Sequence, residues 1–178
     1  MSHFEYAIEK TLKEEGGYAD NPNDSGGPTN RGISLRFLKD IQYKVEGKII
    51  TAPQLKKMTI EETKAIYKKY FWDMVECGKV QDKDIAAKLF DMCVNLGPSQ
   101  ACKLLQISLN RMLDTVLAVD GKLGPKTFAC VDCLIAEDKA KELLGELKDN
   151  LAHFYINLAA DKPKLKVFLK GWLARCQR

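Results

Sequence analysis

Residues 84–97 read DIAAKLFDMCVNLG, and this stretch limits the fold more than any other part of the chain. At about 100° per residue, Ile85, Leu89, Met92 and Leu96 share one side of a helix, and Phe90 and Val94 occupy the other. A helix apolar on both sides is stable in water only when other elements surround it, so this one reads as a buried central helix. Its surroundings read as helical too. Ser2 and Glu5 have the spacing of a capping box, opening a helix that runs to about position 15, where Gly16-Gly17 stops it. A second helix is predicted over about 34–44, and VEGKIITAPQL after it reads as irregular, with a short extended piece. Thr59 and Glu62 form another capping box, opening a helix through AIYKKYFW. Gly97 ends the central helix and Pro98 opens the next, which carries Ala101, Leu104, Leu105, Leu109 and Met112 at helical spacing, with Ser108 as a polar interruption. Two more helices follow DGKLGPKT, the second rich in leucine, and a last one ends in VFLKGWLARC. The fold class is therefore all-α, or mainly α. The clearest internal boundary falls near residues 91–98, giving one part over 1–91 and another over 92–178, packed as one unit.

A chain of 178 residues suits one domain, or one domain with a small appendage. Charged residues make up 29% and the formal net charge is +4, a mild basicity short of the basic stripe of a nucleic-acid binder. The positive charge is concentrated at the end, where Lys162, Lys164, Lys166, Lys170, Arg175 and Arg178 face the single aspartate Asp161. This reads as a solvated helix face, with an anionic polymer or a membrane surface as the alternative partner. No stretch approaches the roughly 18–20 apolar residues that span a bilayer. The opening MSHFEYAIEKTLKEEGG is too charged for a secretory signal. The expectation is a monomer made in the cytoplasm, without stable membrane insertion, which something else must release if it acts outside.

Six cysteines occur, at positions 77, 93, 102, 130, 133 and 176. Cys130 and Cys133 have CxxC spacing, but no second pair or CxxH partner accompanies them, so zinc is not expected. Most of the six lie among apolar residues in helical stretches, where cysteine behaves as a small hydrophobe. They are expected to be reduced and free of metal.

The least helical stretch is EEGGYADNPNDSGGPTNRGIS, residues 14–34. It departs from a calcium loop: Pro22 stands where the third-position ligand belongs, Ser25 replaces the glycine, and Arg31 replaces the bidentate glutamate. It has no GxxxxGK[ST] phosphate loop, and with two histidines in the chain no Ser or Cys has an evident base. Carboxylate chemistry remains. Glu15 is followed by Asp24 and then Thr29, and a glycosidase needs one group to protonate the leaving oxygen and another to handle water or the cation. For each polar residue alone, including Asp20, Asn21 and Asn30, an Asx-turn is the plainer alternative.

Periodicity separates the two glutamates. Phe4, Ala7, Ile8, Thr11 and Leu12 define the inward face of the first helix. Glu15 falls within about 20° of its centre and Glu14 about 90° away. At the last helical turn the macrodipole disfavours a negative charge, and partial burial does the same, so both raise the pKa of an inward carboxyl.

The segment EGGYADNPNDSGGPTNRGIS resembles the N-terminal signature of the glycoside hydrolase 108 family. These are phage- and prophage-type N-acetylmuramidases, some of them known as secretion activators. The glutamate before Gly-Gly-Tyr is that family's proposed catalytic residue and corresponds to Glu15. The resemblance continues through YKKYFWD, FDMCVNLGP, VDGKLGPKT and FLKGWLARC, and the second half resembles the peptidoglycan-binding module that accompanies the family. The spacing of Glu15, Asp24 and Thr29 is also similar to that of phage lysozymes, where the threonine comes one residue later.

The resemblance implies a lysozyme-like, mainly α-helical fold. It implies hydrolysis of the β-1,4 bond between N-acetylmuramic acid and N-acetylglucosamine, without a cofactor or metal. It also implies an endolysin that reaches the cell wall through a holin or an export route and acts there, in the periplasm, on glycan strands. Within that picture Glu15 is the general acid, Asp24 and Thr29 hold a water, and Tyr18 lines the cleft. Tyr70 and Trp72 stack on sugar faces, with core packing as the alternative for YFW. Asn95 contacts an N-acetyl group, or is a plain helix-end polar residue. Two rival functions stay open: a lytic transglycosylase on the same fold, and a non-catalytic glycan-binding or secretion accessory protein.

Overall fold

The structure, a computed structural model, describes residues 1–14, 16–20, 27–113 and 116–177, with Glu14 described by its backbone alone. The chain forms two compact units, Met1–Tyr70 and Phe71–Arg178. It is mainly α-helical, as expected, with small sheets.

The first unit contains α1 (His3–Glu14), α2 (Leu35–Asp40), α3 (Ala52–Lys57) and α4 (Ile60–Tyr67). Between them lie β1 (Tyr18–Ala19), β2 (Thr29–Asn30), β3 (Ile33–Ser34), β4 (Lys44–Val45) and β5 (Lys48–Ile49). Helix α1 buries four of the five residues of the predicted face: Phe4, Ala7, Ile8 and Thr11 are closed off from solvent, and Leu12 is half-buried. The Thr11 hydroxyl donates to the Ala7 carbonyl oxygen at 3.2 Å, which satisfies the one polar group on that face. Ser2 Oγ accepts from the Glu5 amide at 3.2 Å, as the capping box requires. The Glu5 carboxylate, expected to reach back to Ser2, is instead held by Lys64 Nζ of α4 at 2.9 Å.

The extended segments form two small antiparallel sheets, β1-β2-β3 and β4-β5. Each closing hairpin turns on two residues with positive φ: Arg31 (48°) and Gly32 (78°) between β2 and β3, Glu46 (51°) and Gly47 (77°) between β4 and β5. Left-handed backbone at both central positions matches the twist of the flanking strands. Helix α2 is shorter than predicted. Ser34 Oγ caps it by accepting from the Phe37 amide at 3.1 Å, and it stops at Asp40 because Gln42 takes φ 53° and leads into β4. The capping box of α4 is complete, with the Glu62 amide on Thr59 Oγ1 at 3.1 Å and the Thr59 amide on Glu62 Oε2 at 2.7 Å. Beyond Tyr67 the helix does not continue in α geometry. Residues Lys68–Trp72 form a π turn.

The second unit is built from α5 (Lys83–Leu96), α6 (Pro98–Met112), α7 (Pro125–Ala136), α8 (Ala140–Asp161) and α9 (Lys166–Cys176). Helix α5 is the buried helix that the sequence predicts: Ile85, Leu89, Phe90, Met92 and Cys93 are fully enclosed. Asp82 caps its start through the Asp84 and Ile85 amides, and Gly97, at φ 83°, ends it directly before Pro98 of α6. Ser108, the polar interruption of α6, is buried and donates to the Leu104 carbonyl oxygen at 3.0 Å. It also accepts from Asn150 Nδ2 of α8 at 2.8 Å, so the interruption becomes an interhelix link. Among the described residues no helix is long and apolar enough to cross a membrane.

Candidate active site

Glu15 and Asp24, two of the three residues predicted to carry the chemistry, lie outside the described residues. The third, Thr29, is half-buried on the central strand of the β1-β2-β3 sheet, opposite Ala19 and Ser34. Tyr18 pairs with Asn30, and Asn30 with Ile33. Cross-strand partners share a face and neighbours alternate, so Tyr18 and Thr29 stand on opposite faces of the sheet. The face of Asn30 and Ile33 is the inward one, since both are buried.

The Tyr18 ring is half-exposed at the edge of that inward face. Lys56 Nζ lies 5.3 Å from its centroid, and its hydroxyl donates to Asp20 Oδ2 at 3.3 Å. Loss of hydration, then the Asp20 carboxylate, push the hydroxyl above the usual tyrosine range, so it stays a donor at any ordinary pH. Three contacts hold the hairpin in place. Asn30 Nδ2 donates to the Leu55 carbonyl oxygen at 2.8 Å, Arg31 Nη1 to that of Met58 at 2.8 Å, and Tyr67 Oη to that of Arg31 at 3.0 Å. Asn30, Arg31 and Tyr67 were not among the predicted site residues. No local signal reveals them, since Arg-Gly is not a usual hairpin turn pair and the flanking strands are two residues long.

A separate cleft of about 320 Å³ lies between the β4-β5 hairpin and the end of α4, lined by Gln42, Tyr43, Lys44, Ile66, Lys69 and Tyr70 among others. Tyr70 is fixed here rather than free. The Phe37 ring meets it edge-on at 6.0 Å and 89°, and Lys69 Nζ lies 5.1 Å from its centroid. Burial, then the Glu62 carboxylate and Tyr70, raise the pKa of Tyr43 and keep its hydroxyl protonated. Two phenolic rings, of Tyr43 and Tyr70, and two ammonium groups, of Lys44 and Lys69, thus line this cleft.

The other predicted sugar contacts have different surroundings. Trp72 takes the core-packing alternative: the residue is only 4% exposed and its ring packs on Phe90 of α5 at 5.7 Å and 65°. A ring so enclosed has no face to offer a ligand. Asn95 is exposed on the last turn of α5, but its Nδ2 is taken by its own helix, donating to the Asp91 carbonyl oxygen at 2.6 Å and to Asp91 Oδ1 at 3.1 Å.

The DGKLGPKT segment proves to be a structural turn. Asp120 Oδ1 accepts from Gln106 Nε2 and from the Lys122 amide, each at 2.9 Å, and these donors hold its carboxyl below the usual range. Gly121 has φ 76°, and a Cβ there would lie 2.6 Å from Ser99 Oγ. The turn therefore requires glycine on two counts. All six cysteines are free thiols, and no metal-ligand cluster occurs among the described residues.

Comparison with known proteins fits this architecture. Residues 8–97 match the model of the glycosyl hydrolase 108 family, and the chain belongs to that family. Residues 100–177 match a second model, described as a predicted peptidoglycan domain. The two matches meet where α5 gives way to α6. Together they place the chain among proteins that hydrolyse or bind peptidoglycan in the cell wall. The fold is similar to the solved structure of Brucella abortus SagA, with 28% sequence identity, a TM-score of 0.79, and coverage of 98% of this chain and 90% of that one. No curated protein sequence matches the chain.

Proposed function

We propose that the protein is an N-acetylmuramidase that hydrolyses the β-1,4 bond between N-acetylmuramic acid and N-acetylglucosamine, with Glu15 as general acid. The observation that carries this reading is the buried face of α1. Phe4, Ala7, Ile8 and Thr11 are enclosed at the i, i+3, i+4, i+7 spacing of one helical stripe. In the sequence, position 15 continues the i, i+4 series from Thr11 and position 14 does not. An inward carboxyl at a helix C-terminus has its charge disfavoured by the dipole and by lost hydration, which is what a proton donor near neutral pH needs.

In this mechanism Glu15 protonates the glycosidic oxygen as the bond to the anomeric carbon breaks. Asp24 and Thr29 serve water on the other side of the sugar ring, and water then adds to the oxocarbenium-like centre. Tyr18 and Tyr70 give the glycan flat surfaces. Catalysis belongs to the part that matches glycosyl hydrolase 108, and wall binding to the part that follows.

The test is hydrolysis of purified peptidoglycan by Glu15→Gln and Glu14→Gln proteins, with product masses. Glu15→Gln should abolish hydrolysis with near-normal folding, and Glu14→Gln should retain most of it. Each cut should add one water to the products. Anhydro products would instead identify a lytic transglycosylase. Undiminished activity in Glu15→Gln would remove the assignment.

A further inference from the structure

The outward side of α9 is apolar where a surface helix is ordinarily polar. Leu169, Leu173 and Cys176 form its inward side, half-buried or buried. On the other side Val167, Phe168, Gly171 and Ala174 are exposed, Val167 by 78% and Phe168 by 54%. At about 100° per residue these four span an arc of about 120°. Arg175 also falls within that arc, but it is half-buried and its guanidinium is turned away to Asp91 Oδ1 of α5. Lys166 and Lys170 border the arc on the side away from Phe168. Lys162 and Lys164 precede the helix, all four lysines are exposed, and α9 has no acidic residue.

Phe168 is exposed but not loose. Its ring stacks on Trp172 at 5.9 Å and 30°, and Trp172 stacks on the buried Tyr155 of α8 at 4.8 Å and 22°. The outermost ring is thus the end of a ladder anchored in the core. Gly171 lies next to it on the helix surface. A Cβ there would meet nothing within 4 Å, and the backbone is not left-handed. Neither packing nor conformation calls for glycine, although glycine weakens a helix interior. Its effect is a shallow strip beside the Phe168 ring.

We propose that this face of α9 binds the peptidoglycan polymer directly. The CH faces of the sugar rings lie on Phe168 and along the strip at Gly171, and the free carboxylates of the peptide stems meet Lys164, Lys166 and Lys170. A pre-ordered flat ring suits a pyranose face. A border of cations without anions complements an acidic polymer. The face lies within the segment that matches a predicted peptidoglycan domain. This inference rests on the reading that the chain acts on peptidoglycan.

The experiment is sedimentation of the full chain with purified sacculi at 4 °C, alongside vesicles of phosphatidylglycerol and phosphatidylethanolamine. Phe168→Ser should weaken sacculus binding about tenfold while the protein, at most slightly destabilised by the lost stacking on Trp172, stays fully folded at 4 °C. Lys166→Glu combined with Lys170→Glu should weaken it similarly and flatten its salt dependence. Gly171→Gln separates binding from folding: the helix should become more stable while sacculus binding falls severalfold. Wild-type sacculus binding by all three variants would overturn the proposal and leave the muramidase reading intact if the wild type still digests the wall. A wild type that neither binds nor digests sacculi would overturn both. Vesicle binding that depends on Phe168, with sacculus binding that does not, would make the face a membrane contact and overturn the proposal.

Discussion

Tyr67 Oη donates to the carbonyl oxygen of Arg31 at 3.0 Å, although 36 positions of sequence separate the two. Arg31 has φ 48°, an unfavourable backbone for a residue with a Cβ. The bond from Tyr67 and that from Arg31 Nη1 to the Met58 carbonyl oxygen hold it there. The β2-β3 hairpin, and with it Thr29, is thereby tied to the last turn of α4.

Tyr67→Phe should test that tie. Tyr67 is buried, so its loss of one hydrogen bond should cost about 1–2 kcal/mol. Urea unfolding should show a lower midpoint with an unchanged slope. If the hairpin positions Thr29 for catalysis, hydrolysis should fall further than the stability loss explains at a temperature where the variant is fully folded. An unchanged midpoint would show the bond to be dispensable.

Trp72→Ala should act on stability rather than on sugar binding. The ring is enclosed and meets Phe90 edge-on, so truncation should cost about 3–5 kcal/mol. Tyr70→Ala should do the reverse, raising KM for peptidoglycan with a smaller loss of stability, because that ring lines an open cleft. A stable Trp72→Ala protein with weakened substrate binding would restore the stacking role.

The helical skeleton was legible because its signals are local and redundant. The two-sided apolar pattern of α5, the Thr59–Glu62 box and the Gly97-Pro98 junction each state their element directly. The hairpins were not legible, since their strands are only two residues long and carry no alternation. Their turns also use Arg31 and Glu46 where asparagine is the usual cue. Which of the two alternatives Trp72 would take was not legible for a different reason. The sequence places it beside Tyr70, but the π turn over Lys68–Trp72 changes the helical phase, and one ring goes to a cleft while the other goes to a core. Glu5 was drawn from its cap by Lys64, a partner 59 positions away that no local pattern announces.

Cys133 should be the thiol that labels first in the native protein, because it is the exposed one of the six. Its Sγ donates to Glu137 Oε1 at 3.5 Å, and that bond, followed by the carboxylate's charge, raises the thiol pKa. Glu137→Gln removes the charge, lowers the pKa and should speed alkylation at pH 8 severalfold. Cys102, pushed up to about 12 chiefly by burial, should react only after unfolding. A slower or unchanged rate in Glu137→Gln would show that the carboxylate does not govern the thiol.

Lys88 should give the alkaline stability profile a recognisable feature. Its side chain is 3% exposed on the central helix α5. Its Nζ donates to the Arg175 carbonyl oxygen at 3.2 Å and lies 3.6 Å from Asp91 Oδ2. Arg175 in turn places Nε at 3.0 Å and Nη2 at 2.9 Å from Asp91 Oδ1. Burial lowers the pKa of Lys88 from the ordinary 10.5, with Asp91 and Cys176 opposing the shift and Lys148 adding to it. A lysine with a depressed folded pKa binds fewer protons folded than unfolded across the interval between the two values. Stability from this group therefore rises with pH from its lowered value up to about 10.5, and is flat below that window. Lys88→Met removes the rise while Arg175 still neutralises Asp91, so its stability at pH 7 should stay within about 2 kcal/mol of wild type. Asp91→Asn leaves two cations without their anion and should cost about 3 kcal/mol or more. Denaturant midpoints from pH 7 to 10.5 for wild type and Lys88→Met check the sign. The difference, wild type minus variant, must grow as pH rises, and a constant difference would mean that Lys88 keeps an ordinary pKa in the folded protein.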